Sequence, residues 1–464
     1  MELAQVLDEK RSTQCRQITE HVGTPVYVYF RSVIRSRVRE LTAAISSLKS
    51  VVVHCHYALL ANDNPHLLSE VLGTLSESRS TPGVLCASSG HLEAIARLPS
   101  LPSGCSVAHC DPSLSSSTWL SPMEELLRRH EVSTVYLILN TEGQVAYFLE
   151  TARKGVARDI FLARRASIQV GVRVRLAGGG PGCSSPGWER VYSLYHGPFA
   201  RFGVGSGEEL REAVLKLRDA GFEKVGFHFY PGTNIVSLDL LRELYRRFAQ
   251  AVKEVIAQTG VELGFLDLGG GFGIDYSTGA PAPLNELAAM WQEVFRPLLE
   301  GPETILVEPG RTIIGPAGVL LVKVVDRDER SGRQHIMIDA GLSHFGRTYV
   351  YGQAHRIVAL RDGGSRDDSG TVETVVSGCT MASGDFFAGD PIAGVWARLP
   401  PLEVGDVLAI LDVGAYGFCM SSHFSGQLRP PEVLLLDDGA AVLIRHRERP
   451  TALQSEVPEC PESL

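Results

Sequence analysis

Residues 265 to 273 read FLDLGGGFG, and the reading of the whole chain starts there. An apolar run of strand character enters three consecutive glycines, Gly269, Gly270 and Gly271, whose backbone N–H groups have no side chains in front of them. At the carboxyl end of a barrel strand such a turn can cradle a phosphate. A tight strand-to-helix turn has the same composition, so the neighbouring motifs decide between the two. The next strand ends in VEPGR, which sets the carboxylate of Glu308 beside Gly310 and Arg311. Upstream, HFYPGTN (228–234) ends another strand with Gly232 and the hydroxyl of Thr233. His228 and Tyr230, two residues apart, fall on one side of that strand. His228 is read equally as a site residue and as a plain interior histidine.

Outward from this point, strand-like runs recur at 51–59, 81–88, 133–139, 168–176, 224–230, 264–271 and 304–310. Amphipathic segments such as SGEELREAVLKLRDAG and LDLLRELYRRFAQAVKEVIAQTG lie between several of them, with apolar residues at helical spacing. Ser237 and Gly260 are placed to cap the second. Repeated strand–helix units imply a parallel sheet, and their number suits a closed (β/α)8 barrel over 41–315. An open doubly wound sheet is the structural alternative. Beyond 315 the pattern changes to strands with short turns, an all-β domain over 316–445. The early strand in TPVYVYF makes residues 1–40 a segment whose strand joins that β domain. Residues 446–464 are expected as a disordered tail, and LAGGGPGCSSPGW (176–188) as a flexible loop.

Composition bounds the partners. Hydrophobic content of 44%, charged content of 21% and a net charge of −9 describe an ordinary globular chain without a basic footprint for nucleic acid. There is no apolar run long enough to span a membrane, and the polar amino terminus is unlike a signal peptide, so a cytoplasmic protein is expected. The nine cysteines are scattered as reduced thiols would be. The pair in CSVAHC (105–110) has the wrong spacing for a zinc knuckle and reads as loop thiols; no metal site is expected.

Taken together, these motifs resemble the fold-type III pyridoxal-phosphate decarboxylases, the family of diaminopimelate, ornithine and arginine decarboxylases. GTPVYVY is similar to the family's opening strand, HYALLAN (56–62) to its cofactor-lysine strand, FLDLGGGFG to its phosphate loop and EPGR to the segment whose glutamate meets the pyridine nitrogen. GAYGFCMSSHFSGQLRPPEVLL (414–435) is similar to the diaminopimelate decarboxylase ending. The resemblance implies pyridoxal 5'-phosphate as cofactor, a small amino-acid substrate, and a head-to-tail homodimer with shared active sites. It gives Glu308 to the pyridine nitrogen, Tyr230 to the ring face, and Gly232, Thr233, Gly269, Gly270, Gly271, Gly310 and Arg311 to the phosphate side. Tyr416 would reach the phosphate, Arg347 the substrate carboxylate, with Tyr351 following it.

Several positions depart from the family pattern. Leu60 stands where the family has the lysine that binds the cofactor covalently, and Lys154, Lys224 and Lys323 lie in no matching segment. Met381 and Ala382 stand where the family has its catalytic cysteine and the adjacent carboxylate, with Cys379 two residues upstream as a substitute that would need a register shift. Leu85 replaces an aspartate near the ring. These edits leave two functional readings: a decarboxylase-like enzyme, closest to diaminopimelate decarboxylase, that holds its cofactor non-covalently, and an inactive relative that acts as a binding or regulatory partner, including a heterodimer with a paralogue. A racemase reaction is a lesser alternative, because it too needs the lysine as a base.

Overall fold

The computed structural model describes residues 7–48, 51–78, 80–115, 119–153, 167–176, 188–197, 199–299, 303–361, 370–388 and 396–453. The chain divides into two compact units, one of Arg35–Ile274 with Pro281–Ile313, the other of Met1–Ile34, Asp275–Ala280 and Ile314–Leu464. Strands are numbered along the chain.

The first unit is a closed parallel barrel. Its strands are β2 (Val51–Ala58), β3 (Thr81–Cys86), β4 (Ser106–His109), β5 (Thr134–Leu139), β6 (Ser167–Arg175), β8 (Lys224–His228), β9 (Glu262–Asp267) and β12 (Glu303–Val307). They run in the order β5-β4-β3-β2-β12-β9-β8-β6, and the pairing of β5 with β6 closes the ring; a short β7 (Val204–Gly205) sits beside β6. Strands buried on both faces are near-continuous in apolar residues, as TVYLIL in β5 is. The long helix Leu238–Thr259 covers the outside. Ser237 caps its start by accepting from the Leu240 N–H at 3.2 Å, and Gly260 ends it in the left-handed region.

Inside the barrel, Phe265 occupies space that glycine leaves free: a Cβ at Gly226 would lie 2.1 Å from its ring. Tyr136 meets Phe265 edge-on at 4.9 Å. Beside them lies a polar group, with Ser106 Oγ between His56 Nε2 (3.0 Å) and His54 Nδ1 (3.3 Å), and the Tyr136 hydroxyl also at His54 Nδ1 (3.3 Å). Burial pushes both imidazoles down, His54 to about 4, so both are neutral near pH 7.

The second unit carries the mixed sheet. Its strands are β1 (Val26–Phe30), β13 (Gly318–Arg330), β14 (Arg333–Ile338), β15 (Ile357–Ala359), β16 (Val372–Ser377), β17 (Phe386–Ala388), β18 (Ala397–Leu399), β19 (Val407–Ile410), β20 (Glu432–Leu435) and β21 (Ala441–Arg445). The short β10 (Ile274–Asp275) and β11 (Ala280–Pro281) form a ladder of their own. The main order is β17-β16-β14-β13-β1-β20-β21, so the amino-terminal strand lies in the sheet's interior, antiparallel to β13 and parallel to β20. All five β1 side chains are buried. The hydroxyls of Tyr27 and Tyr29 donate to His344 O and Glu432 Oε1, each at 2.7 Å, so the two buried phenols keep their hydrogen bonds.

One expectation needs correction, and the boundaries lie a few residues from those expected. The units exchange at residues 34 and 313, against the expected 40 and 315, and the second also includes 275–280. Residues 446–453 are not a disordered tail. Arg447 Nη2 donates to Pro25 O at 3.0 Å, Glu448 pairs with His423 and accepts from the Arg429 N–H, and Pro450–Leu453 forms a 3-10 turn. Cys105 and Cys110 lie just outside the strand, one before and one after β4, and both are buried. The end of the tail, 454–464, and most of the Gly/Pro/Ser loop lie outside the described residues.

Candidate active site

The carboxyl ends of β8, β9 and β12 bring three titratable side chains together. The ligand-capable atoms of His228, Asp267 and Glu308 all lie within 4.8 Å of one another, and all three residues are buried. His228 Nε2 is 3.4 Å from Glu308 Oε2, and Asp267 Oδ1 accepts from the Gly269 N–H at 2.9 Å. Among the described residues His228 Nδ1, Asp267 Oδ2 and Glu308 Oε1 have no protein partner. Burial pushes Glu308 up to about 7, against the pull of Asp267 and the Arg173 charge. Burial, then the neighbouring Glu308 charge, pushes Asp267 well up. Two carboxyls this close do not both ionise readily, so the pair shares a proton near neutrality. Burial holds His228 down at about 4, and it is neutral.

Glycine is required in the FLDLGGGFG turn by crowding as well as by any ligand. A Cβ on Gly270 would lie 2.2 Å from Glu308 O, and one on Gly271, at φ 85°, 2.0 Å from Gly232 O. The turn threads between the segments after β8 and β12 and draws them together. Among the described residues neither the Gly270 nor the Gly271 N–H donates to a protein acceptor. Beside the turn, Arg311 Nη2 donates to Thr233 Oγ1 at 3.1 Å. Two backbone donors after β9, a hydroxyl after β8 and a guanidinium after β12 are the kinds of group a phosphate needs. Tyr230 is half-buried, and burial pushes its phenol up.

The segment after β2 keeps its frame for structural reasons. The Tyr57 hydroxyl donates to Asn62 O at 3.1 Å, and Asn62 Oδ1 accepts from the Asn64 N–H. Asn64 in turn caps the helix Pro65–Ser76. A Cβ on Gly310 would meet the Ala61 Cβ at 2.8 Å, so the small residues let the turn after β12 lie against the end of β2. Leu60, in that frame, is 54% exposed. The chain has seven lysines, and none of the five described ones lies at the carboxyl end of a barrel strand; Lys224 opens β8 at the opposite end and pairs with Glu262.

Four groups at this site were not assigned from sequence. Asp267 lies inside the quoted motif. Arg173, at the end of β6, stands over the Tyr230 ring at 5.3 Å, with its Nη1 at 3.4 Å from Asn140 Oδ1. Cys110 donates to the same Asn140 oxygen at 3.3 Å. The strand alternation Gln169, Gly171, Arg173 could have flagged the arginine, and Ser106, Ala108, Cys110 the thiol.

The remaining expected residues lie in the β unit. Arg347, buried, stands over the rings of Tyr276 (5.2 Å), Tyr416 (5.6 Å) and Tyr351 (5.7 Å), so the arginine and both expected tyrosines come together with one tyrosine that was not expected. Met381 is 96% exposed. Its loop is locked by Asp385, which accepts from the N–H groups of Leu342 and Thr380 at 2.9 Å each. That lock opposes any register shift that would move Cys379 to position 381. Burial, then the Asp385 charge, pushes the Cys379 thiol up to about 11.

Comparison with known proteins bears on this geometry. Residues 26–414 match the family described as pyridoxal-dependent decarboxylase, C-terminal sheet domain. The chain is 28% identical over 436 residues to a diaminopimelate decarboxylase of Aquifex aeolicus (strain VF5), covering 93% of this chain and 91% of that protein. It is 29% identical over 437 residues to the diaminopimelate decarboxylase of Methanothermobacter thermautotrophicus, with the same two coverages. A crystal structure of diaminopimelate decarboxylase superposes with a TM-score of 0.75 at 25% identity, over 98% of each chain. The M. jannaschii diaminopimelate decarboxylase in complex with L-lysine gives 0.77 at 23% identity over 96% and 95%, a likeness of fold. The chain, a barrel with a C-terminal sheet domain, belongs to the pyridoxal-dependent decarboxylase family.

Proposed function

We propose that this chain is a decarboxylase-like protein of the diaminopimelate type that holds pyridoxal 5'-phosphate without a covalent bond and takes an amino acid or amino-acid conjugate as substrate. One observation carries the reading: the Asp267–Glu308 pair and the glycine turn are intact, while Leu60 is exposed where a lysine would stand and no described lysine replaces it. The amides of Gly270 and Gly271, with Thr233 and Arg311, would hold the phosphate. Tyr230 would lie on the ring face, and Glu308 would meet the ring nitrogen with the proton it shares with Asp267. Bound there, the cofactor supplies an electron sink for the pair left on a substrate carbon when carbon dioxide departs. In the β unit, Arg347 among Tyr276, Tyr351 and Tyr416 is read as the substrate-carboxylate group.

Without the lysine, rapid exchange of the cofactor between enzyme and substrate amine is lost, so turnover is slow. The test is gel filtration of the purified protein with pyridoxal phosphate. The cofactor should co-elute, be removed by dialysis, and leave no mass adduct after borohydride. A protein that retains no cofactor on the column overturns the proposal.

A second reading, an inactive binding or regulatory partner, draws on the exposed apolar residues Tyr349, Val350, Tyr351 and Met381 of the β unit. They suit an interface with a second copy or a paralogue. Carbon dioxide release from diaminopimelate, lysine, ornithine or arginine would decide for the enzyme; cofactor binding with none from any substrate would decide for the partner.

A further inference from the structure

The cofactor reading gives Glu308 one partner and leaves donor atoms beside it that no protein group uses. Asp267 Oδ2, Glu308 Oε1 and His228 Nδ1 have no hydrogen-bond partner among the described residues, and the three residues are at most 4% exposed. Among the described residues no lysine or arginine forms an ion pair with either carboxyl, and the Arg173 guanidinium is bonded at Asn140 Oδ1. Open lone pairs buried this deeply point to a ligand. The frame that holds them is rigid. His228 lies opposite Asp267 in the pairing of β8 with β9, and the Glu308 N–H donates to Gly269 O at 2.8 Å. Asp267 Oδ1 accepts from the Gly269 N–H, which fixes the carboxyl while Oδ2 stays available.

The spacing of the donors suits a metal ion. One ligand-capable atom from each residue lies within 4.8 Å of the other two. His228 Nε2 stands 3.4 Å from Glu308 Oε2, long for an N–H···O bond but close to the about 3.3 Å between two donors on a tetrahedral zinc ion. Two ionised carboxylates, a neutral imidazole and a dication together carry no net charge, which is the form in which buried charges are tolerated. We propose that His228, Asp267 and Glu308 form a site for a divalent first-row metal ion, zinc by its donor set. Imidazole with carboxylates suits zinc and its neighbours, and three protein donors leave a position on the ion for water. The sequence gives no sign of this site because each donor comes from a different strand. The ion site stands apart from the cofactor reading and limits it: an ion on Glu308 takes the carboxylate that the ring nitrogen would meet. Ion and cofactor therefore exclude one another, and Leu60 offers no bond to keep the cofactor in place.

Cobalt(II), which reports its ligands through visible d–d bands, tests this without relying on turnover. Chelator-treated wild type should retain about one cobalt ion per chain through desalting, with those bands present. Glu308→Gln and Asp267→Asn keep the shapes of the side chains and should each weaken cobalt retention by about tenfold or more. Wild type that retains no cobalt overturns the proposal whether or not the variants fold. Retention equal to wild type in both folded variants overturns it too, since the ion would then sit elsewhere. Pyridoxal phosphate added to cobalt-loaded protein should be retained about tenfold less well than by metal-free protein. Equal retention by the two overturns the exclusion. Metal-free protein that retains no cofactor overturns the cofactor reading and leaves the ion site supported by cobalt alone.

Discussion

At position 60 a half-exposed leucine ends the turn after β2, and its side chain offers a cofactor aldehyde nothing to bond. The surrounding frame, from the Tyr57 hydroxyl to the Asn64 cap, does not depend on what stands there. Leu60→Lys should therefore fold normally and gain a borohydride-fixable cofactor adduct by mass spectrometry, absent from wild type. No adduct in the variant would mean that the pocket no longer fits the cofactor. Glu308 makes a second prediction. Its pKa is raised on folding, so the folded state binds the proton more tightly than the unfolded chain. That contribution is whole below the ordinary carboxyl value near 4.5 and is lost as pH rises through about 7. The loss is on the order of 3 kcal/mol for a fully buried group. Urea midpoints across that window should fall in wild type and fall much less in Glu308→Gln. Of the residues, Glu308, Thr233, Arg311 and the glycines were legible because each sits in a short motif at a strand end. Arg173 and Asp267 were not assigned, although strand alternation turns Arg173 inward and Asp267 stands in the glycine motif, because which inward groups meet becomes visible only when the ring of strands closes.

Among the elements, the glycine turn after β9 carries the heaviest constraint. Gly270→Ala would drive a methyl into the Glu308 carbonyl, a backbone atom that cannot swing aside. It should cost about 2 kcal/mol or more in denaturant unfolding and weaken cofactor retention at least tenfold. If the variant were as stable as wild type, the crowding described here would be wrong. Helix Leu238–Thr259 gives a milder test: Ser237→Ala removes the bond to the Leu240 N–H and should lose about 1 kcal/mol without altering cofactor retention. This helix was readable in sequence to its caps, since periodicity and capping are local. The loop that displays Met381 was not, because Asp385 organises it by bonding back to Thr380 and across to Leu342.

At the scale of the whole molecule, the amino-terminal strand is the long-range commitment. β1 pairs with β13 and β20, some three and four hundred residues away along the chain. Val28→Asp would bury a carboxylate between them without a cation and should cost about 4 kcal/mol or more, read as loss of part of the far-UV signal at low urea. Among the described residues no helix is long and apolar enough to cross a membrane. The sequence by itself determined the barrel, the β domain, the cofactor class of the family and the missing lysine, because each is written in local periodicity or in a contiguous motif. The tertiary structure alone decided that Asp267 shares its proton with Glu308, that Cys110 and Arg173 meet on Asn140, and that β1 lies inside the far sheet. Those facts depend on which strands become neighbours, and pairing between distant segments leaves no mark in either segment alone.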